Sequence, residues 1–211
     1  MNHKNSNVQQ IAINGYDRNF SYFVNDESTK DIAIVDPGDI SLLEQIIDEG
    51  NWRPKMILLT HSHHDHVEAV APLVAHYDIP VYLHENAMDR VDVPSRLIRL
   101  INDGTKIALG NLKIEVLYTP GHIDDAVCFY ISAEQALDGT PKLLTGDTLF
   151  VEGCGRSDFP LSNPTDLKAS LRRISQLPNN TEVFPGHDYG SKPISTIEWE
   201  KVQNRHMQIY R

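Results

Sequence analysis

Short apolar runs alternate with amphipathic stretches along almost the whole chain, which is the pattern of a layered α/β fold. We interpret nine of the apolar runs as strands, because each is short and ends at a turn or a change of periodicity. The predicted strands are Gln9–Ile13, Ser21–Asn25, Ile32–Val35, Met56–Leu59, Val81–Leu83, Lys113–Leu117, Val127–Ile131, Lys142–Leu144 and Glu182–Phe184.

Helical periodicity predicts four helices between and after these strands, at Ser41–Glu49, Val67–Tyr77, Pro164–Gln176 and Ser195–Met207. Asp36-Pro37-Gly38 is a turn signal, and two further glycine turns bracket a short hairpin-like segment before Lys113. The stretch Asn86–Ile101 carries three arginines, and two interpretations of it stay open: a helical lid over a site, or a surface excursion.

The length of the chain and the absence of long apolar runs indicate which class of protein to expect. The 211 residues suit one domain, placed at 1–211, with a sizeable core. No apolar run is long enough to span a bilayer, and the first ten residues lack the apolar stretch of a secretory signal, so we expect a cytoplasmic protein without a membrane partner. The sequence carries no signal of an oligomeric state.

The net charge and the cysteine content bear on two further properties, nucleic-acid binding and disulfide formation. The net charge is −10 and we find no basic stripe, so a nucleic-acid partner is not expected. Lys168, Arg172 and Arg173 fall on one predicted helix, which we interpret as a solvated face. Cys128 and Cys154 are expected to be free thiols, Cys128 in the core and Cys154 packed in a glycine-rich turn.

The segment from Leu58 to His66 is the strongest chemical signal, with four histidines and an aspartate between an apolar strand and an amphipathic helix. Residues two apart in extended chain point the same way, so His61 and His63 can face one ion. Asp65 and His66 fall where the chain enters the helix and can turn toward a second point. Imidazole and carboxylate ligands suit zinc. His64 is interpreted as a non-ligand.

Three later strands each end in a glycine turn that carries one more metal-ligand type of residue: His122 after Gly121, Asp147 after Gly146 and His187 after Gly186. Glycine lets the backbone turn tightly beside each of them. Each turn alone is a weak signal, but together with the first motif they are hard to explain by coincidence.

In this order of ligands the chain resembles the metallo-β-lactamase superfamily, from about Asn19 to Ile197. The resemblance implies an α/β fold (α+β), a four-layer αββα sandwich, with two divalent metal ions at one edge, zinc with iron as the alternative. It implies two metal sites and one bridging residue: site one from His61, His63 and His122, site two from Asp65, His66 and His187, and Asp147 between both. The bridging carboxylate offsets the repulsion of ions roughly 3.5–4 Å apart.

The loop from Gly146 to Phe159 resembles that of glyoxalase II-like hydrolases and, equally, that of persulfide dioxygenases. Arg156 holds the position at which both groups have a basic residue near the substrate, so it is a candidate to bind a carboxylate. A structural ion pair with Asp158 is the competing interpretation. Tyr189, just after the last ligand, is a second candidate for substrate binding, although we favour a structural role for it.

Two departures from the glyoxalase II pattern are visible. From its length we expect the chain to resemble the shorter bacterial glyoxalase II-like proteins, without a C-terminal helical domain that carries basic glutathione contacts. After His122 the usual Thr-x-Gly is replaced by Ile123-Asp124-Asp125. We expect these two extra carboxylates to weaken the attraction of the site for an anion.

The leading hypothesis is that the protein hydrolyses a small-molecule thioester. It would then be an enzyme of the glyoxalase II type, similar to hydroxyacylglutathione hydrolase. The metals would activate a bridging hydroxide, which Asp65 orients as the catalytic carboxylate. A thiolate leaves without a strong general acid, because the pKa of its conjugate acid is roughly 8.5.

Two alternatives remain. A mononuclear iron persulfide dioxygenase would use only His61, His122 and Asp147, a two-histidine, one-carboxylate triad that suits non-haem iron. A non-enzymatic metal-binding module is disfavoured, because structural zinc sites are normally closed.

Overall fold

The computed structural model describes residues 6–13, 15 and 17–211, and in them two six-stranded mixed sheets pack face to face with helices on both outer faces. This is the four-layer αββα sandwich, so the predicted fold class is confirmed.

The first sheet has the strand order β1-β2-β3-β4-β5-β6. Strands β1, β2 and β3 pair antiparallel, whereas β3 to β6 run parallel to one another. The strands are β1 Val8–Ala12, β2 Phe20–Asp26, β3 Asp31–Val35, β4 Arg53–Leu58, β5 Val81–His84 and β6 Ile98–Ile101.

The second sheet has the order β12-β11-β10-β9-β8-β7, in which only β10 and β11 pair in parallel. Its strands are β7 Lys106–Leu109, β8 Leu112–Tyr118, β9 Val127–Ile131, β10 Lys142–Gly146, β11 Glu182–Pro185 and β12 Ser195–Thr196. The β7–β8 pair is the hairpin-like segment that the glycine turns predicted.

Successive side chains along a strand point to opposite faces of the sheet. Neighbouring residues of one strand therefore enter different apolar clusters, of which the described residues form three. On β9, Phe129 enters the cluster between the two sheets, while Cys128 enters the cluster under the second sheet's helices. On β2, Phe23 enters the cluster between the first sheet and its helices, and its neighbours face the other sheet. Both sheets are therefore buried on two faces, which accounts for the continuous apolar runs.

Within the described residues, five α-helices cover the outer faces: α1 Ile40–Gly50, α2 His64–Val67, α3 Val70–Tyr77, α4 Pro164–Ile174 and α5 Ile197–Gln203. Side-chain caps set three of the starts: Asp39 accepts a hydrogen bond from the Leu42 amide, Asn163 accepts from the amides of Thr165 and Asp166, and Thr196 accepts from the Trp199 amide.

Two of the four predicted helices have wrong limits. The helix expected at Val67–Tyr77 is two helices, because the chain enters α2 already at His64 and breaks before Val70. The helix expected at Ser195–Met207 begins only at Ile197, because Ser195 and Thr196 pair with β11 and Thr196 caps α5. Tertiary pairing here outweighs helical periodicity.

The segment from Asn86 to Ile101 is neither a helical lid nor a plain surface excursion. Two short 3₁₀ turns, Glu85–Ala87 and Ser95–Leu97, lead into β6, which completes the first sheet beside β5. None of the helices in the described ranges has the length and apolar character needed to cross a membrane.

Candidate metal centre

The candidate ligands lie together because several strands end at the same edge of the sandwich. In the first sheet β3 and β4 are parallel, and in the second sheet β10 and β11 are parallel. Asp36 follows β3, His61 follows β4, Asp147 follows β10 and His187 follows β11. Short loops beyond these ends bring side chains of both sheets to one place.

Three imidazoles form the first cluster. Nδ1 of His63 lies 3.1 Å from Nε2 of His61 and 2.9 Å from Nε2 of His122. One proton cannot satisfy three ring nitrogens around one point, whereas a divalent cation accepts all three lone pairs. These donors therefore fit zinc or ferrous iron.

Asp65, His66 and His187 form the second cluster. Oδ2 of Asp65 is 3.5 Å from Nε2 of His66 and 3.4 Å from Nε2 of His187. Asp147 contacts both clusters: Oδ1 is 3.3 Å from Nε2 of His66, and Oδ2 is 3.3 Å from Nε2 of His187 and 3.5 Å from Nε2 of His122. The buried Oδ1 atom of Asp147 has no hydrogen-bond partner among the described residues, which suits a place for a cation.

Four of the five imidazoles are held from behind through Nδ1, so that Nε2 is directed into the cluster. The partners are Thr60 Oγ1 for His61, Asp36 Oδ2 for His66, the Arg156 carbonyl for His122 and the Asp17 carbonyl for His187, at 3.0, 3.0, 2.8 and 2.8 Å. Such outer partners fix the ring orientation that a metal ligand needs.

The pKa values of the side chains in the two clusters are shifted in different directions. Burial lowers the pKa of His61 and of His63, because an imidazolium loses its hydration there. Burial also opposes ionisation of Asp147, but His66 and His187 beside it hold the pKa of that carboxyl well below its usual range. Burial also opposes the charge of His66 and of His187, but the Asp147 carboxylate beside them raises the pKa of both imidazoles. A divalent ion held by His66 and His187 would therefore take the place of their protons.

His64 lies outside this arrangement. Its side chain is exposed, although it stands between residues of both clusters in the sequence. It is the first residue of α2 and belongs to none of the candidate ligand groups among the described residues.

Two glycines are required by close packing at the centre. A Cβ at Gly186 would collide with Asp147 Oδ1 and lie 2.9 Å from Cε1 of His66. A Cβ at Gly155 would collide with the Asp147 carbonyl and lie 2.8 Å from Nδ1 of His122. The loop after β10 therefore packs its backbone directly against the clusters.

The clusters form the floor of an open cleft of about 360 Å³. Its walls are aromatic: the Phe159 ring lies 6.3 Å from the His63 ring, and the Tyr189 ring stacks on His187 at 4.7 Å. Tyr189 is half exposed and lies at the cleft, where the sequence placed a substrate-binding candidate.

Arg156 also lines the cleft, and its guanidinium forms two hydrogen bonds to Asp158, at 2.9 and 2.8 Å, and lies over the Phe159 ring. The structural ion pair is thus present. Both partners are about two-thirds exposed, at 65% and 66%, and exposed pairs of this kind contribute only about 0–1 kcal/mol.

Asp124 and Asp125 do not line the cleft. Asp124 pairs through both oxygens with Arg90, and the buried Asp125 carboxylate lies 3.6 Å from the same guanidinium. The expectation that these carboxylates weaken anion attraction stays a prediction, although Arg90 offsets part of their charge.

Sequence reasoning missed several residues of the centre. Asp36 accepts hydrogen bonds from His66, from the Thr60 amide and from Thr60 Oγ1, and Asn19 donates to Asp65 Oδ2 at 2.7 Å. The position of Asp36 just after an apolar strand could have indicated a site residue. We interpreted it only as part of a turn, because Pro37 and Gly38 follow it. Phe159 carried no signal.

A model of the family described as "Metallo-beta-lactamase superfamily" matches residues 15–187. The "Probable polyketide biosynthesis zinc-dependent hydrolase PksB" of Bacillus subtilis is 31% identical over 193 residues, which are 90% of this chain and 82% of that protein. A hydroxyacylglutathione hydrolase of Pseudomonas aeruginosa is 34% identical over 183 residues, 86% of this chain and 66% of that enzyme.

Among solved structures, ETHE1 from Myxococcus xanthus superimposes with a TM-score of 0.81 and 29% identity, covering 94% of this chain and 83% of the other. The sandwich, the ligand order and these relatives agree. The chain belongs to the metallo-β-lactamase superfamily, in the branch that resembles hydroxyacylglutathione hydrolases and ETHE1.

Proposed function

We propose that this member of a metal-dependent hydrolase superfamily is a dinuclear thioester hydrolase of the glyoxalase II type. The observation that carries the proposal is the contact of Asp147 with both histidine clusters at the floor of an open cleft. A structural metal site would be closed, whereas here the donors face a space that a substrate can enter.

His61, His63 and His122 would hold one ion, Asp65, His66 and His187 the other, and Asp147 would bind both. Two divalent ions in such a site lower the pKa of water toward ~7 and polarise a carbonyl group. The charges of Asp65 and Asp147 reduce the formal charge of two such ions from +4 to +2, so the cleft can attract an anionic substrate.

Asp65 is the proposed catalytic carboxylate. Asn19 donates to its Oδ2 atom at 2.7 Å and to its carbonyl at 3.2 Å, which fixes one carboxylate orientation. A carboxylate held in this way can accept a proton from the attacking water and aim its lone pair into the cleft. A thiolate product needs no positioned general acid, because the pKa of its conjugate acid is roughly 8.5.

The cleft walls suit a thioester with a charged thiol portion. Phe159 and Tyr189 offer aromatic surface beside the clusters, and Arg156 lies at the rim with an exposed guanidinium. Since its ion pair with Asp158 is weak, Arg156 can exchange that carboxylate for one on the substrate. The hydroxyacylglutathione hydrolase relative supports this substrate class.

The second candidate function is an iron-dependent persulfide dioxygenase, which the likeness to ETHE1 favours. It would need only His61, His122 and Asp147 as ligands, and the remaining four residues would act as outer contacts. We place it second because the second cluster is as complete as the first.

Metal content and activity measured together separate the two functions. The protein is reconstituted with Zn²⁺ or with Fe²⁺ and assayed for S-lactoylglutathione hydrolysis and for oxygen uptake with glutathione persulfide. We expect two ions per chain and hydrolysis. Asp147→Ala should lose metal from both sites and reduce kcat/KM at least ~100-fold, since it contacts both clusters.

His64→Ala is the matched control, because His64 lies among the ligands in sequence but is exposed. It should retain metal and activity. One iron per chain with oxygen consumption and no hydrolysis would establish the dioxygenase instead.

A further inference from the structure

A second groove lies behind the loop that carries Gly155 and Arg156. It has a volume of about 530 Å³ and shares these two residues with the metal-centre cleft. The Arg156 carbonyl accepts from His122 Nδ1 at 2.8 Å, so this loop is a thin wall between the two cavities.

The groove is basic and carries no acidic lining residue, in a chain with 29 acidic and 19 basic residues. Lys168 on α4 and Arg205 after α5 line it together with Arg156. In the part of the chain that the structure describes, Lys168 and Arg205 form no ion pair with a carboxylate, and Arg205 donates instead to His206. Two uncompensated cations thus face one cavity.

A neighbouring depression of the surface extends the positive charge of the groove. It shares Lys168 and Ile209 with the groove and adds Arg172, again without an acidic lining residue. The solvated face expected on this helix is therefore one wall of a concave basic surface, with Leu167 and Leu171 at the base of the groove. Such a surface combines cations with apolar contact, as a flexible anionic chain requires.

We propose that this basic groove, lined by Arg156, Lys168, Arg205, Leu167, Leu171 and Ile209, binds the anionic end of the substrate's thiol carrier. The proposal rests on the thioester hydrolase function, and it names the substrate class: a thioester whose thiol portion ends in carboxylates or phosphates. The acyl group lies over the metal centre, and the carrier crosses the Gly155–Arg156 loop to reach Lys168 and Arg205.

Binding is tested without turnover, on protein freed of metal and on the zinc-loaded protein. The probes are S-methylglutathione, which ends in carboxylates, and S-methyl-coenzyme A, which carries phosphates; neither has a thioester or a free thiol. Calorimetry should show that at least one of them binds. Lys168→Glu and Arg205→Glu should each weaken its Kd at least ~10-fold, and the stronger probe identifies the anion.

Lys106→Glu is the matched control: it makes the same charge change on β7, at the far edge of the second sheet from β12, and should leave the Kd unchanged. A second readout uses Cys154, a half-buried thiol that lines the groove, whereas Cys128 is fully buried. A bound probe should slow alkylation of Cys154. Failure of both probes to bind, or an unchanged Kd in both charge reversals, overturns the groove proposal.

Failure of the hydrolase function gives a different result. If the zinc-loaded protein hydrolyses a neutral N-acetylcysteamine thioester but neither probe depends on Lys168 or Arg205, the function stands and the groove proposal falls. If a probe binds through Lys168 and Arg205 but no thioester is hydrolysed, the anion site stands and the hydrolase function falls.

Discussion

Asp36 shows how much a single buried side chain behind the ligands can control. It is 3% exposed and accepts three hydrogen bonds, one from His66 and two from Thr60, and Thr60 Oγ1 in turn contacts His61. One carboxylate therefore orients an imidazole in each cluster, directly for His66 and through Thr60 for His61. Outer carboxylates of this kind raise the basicity of a ligand and fix its tautomer.

Asp36→Asn should weaken metal affinity about 10- to 100-fold with little change in fold, because an amide cannot accept from all three donors. A competition titration against a chromophoric chelator measures the affinity. Asp39→Asn is the control, since it removes the same charge three residues away and asparagine caps α1 as well as aspartate does. Equal weakening in both variants would show that charge alone, and not the contact with His66, matters.

At the scale of elements, α5 holds the loop that backs the metal centre. The buried carboxylate of Glu200 accepts from the Glu152 amide, from Ser195 and from Asn204, and Asn204 also donates to the Gly153 carbonyl. The loop fixed in this way continues into Gly155, whose backbone packs against His122 and Asp147. A helix far along the chain thus determines where one wall of the cleft lies.

Glu200→Ala should lower the free energy of unfolding by about 2–4 kcal/mol, because it leaves buried donors without partners. Glu200→Gln should cost less, since the Ser195 hydroxyl can rotate to accept from the new amide. Urea unfolding of both variants and the wild type measures the difference. An alanine variant as stable as the wild type would contradict the role assigned to α5.

The difference in stability between Glu200→Gln and the wild type should depend on pH. Burial raises the pKa of Glu200, so its contribution to stability is full below its unfolded pKa and is lost as pH rises through the raised folded pKa. Glutamine does not titrate. The stability of Glu200→Gln relative to the wild type should therefore increase between pH 4 and pH 8, and a difference independent of pH would show that the carboxyl is not desolvated.

For the whole molecule, the candidate centre joins the two sheets. His61 to His66 come from the end of the first sheet, while His122, Asp147 and His187 come from the second. A cation bound by side chains from both sheets stabilises the sandwich only when both are in place, so metal binding is linked to folding.

Zinc at ~100 times its Kd should therefore raise the unfolding free energy by about 2.7 kcal/mol, which corresponds to roughly 5–10 °C in Tm for a chain of this size. Calorimetric melting with increasing Zn²⁺, compared with chelator, measures the shift. The shift should persist in His64→Ala and disappear in Asp147→Ala. A Tm that zinc leaves unchanged in the wild type would contradict a centre that joins the sheets.

Much of the fold could be predicted because its signals are local. Each of the nine predicted strands overlaps one observed strand, as at Val127–Ile131, where prediction and structure coincide. The candidate ligands could be predicted for the same reason. Most of them stand near a strand end, and the three later ones each follow a glycine. Edge strand β6 and the break before Val70 were missed, because pairing partners and not periodicity determine them.

The sequence by itself determined the layered fold class, the family and the residues available to a metal centre. Only the tertiary structure decided which side chains support them, because Asp36 meets His66 and Glu200 meets Glu152 across 30 and 48 residues of chain. It also paired Arg90 with Asp124 and brought Lys168 and Arg205 to one cavity. Such contacts depend on how sheets and helices pack, and that packing brings together residues between which no local pattern exists.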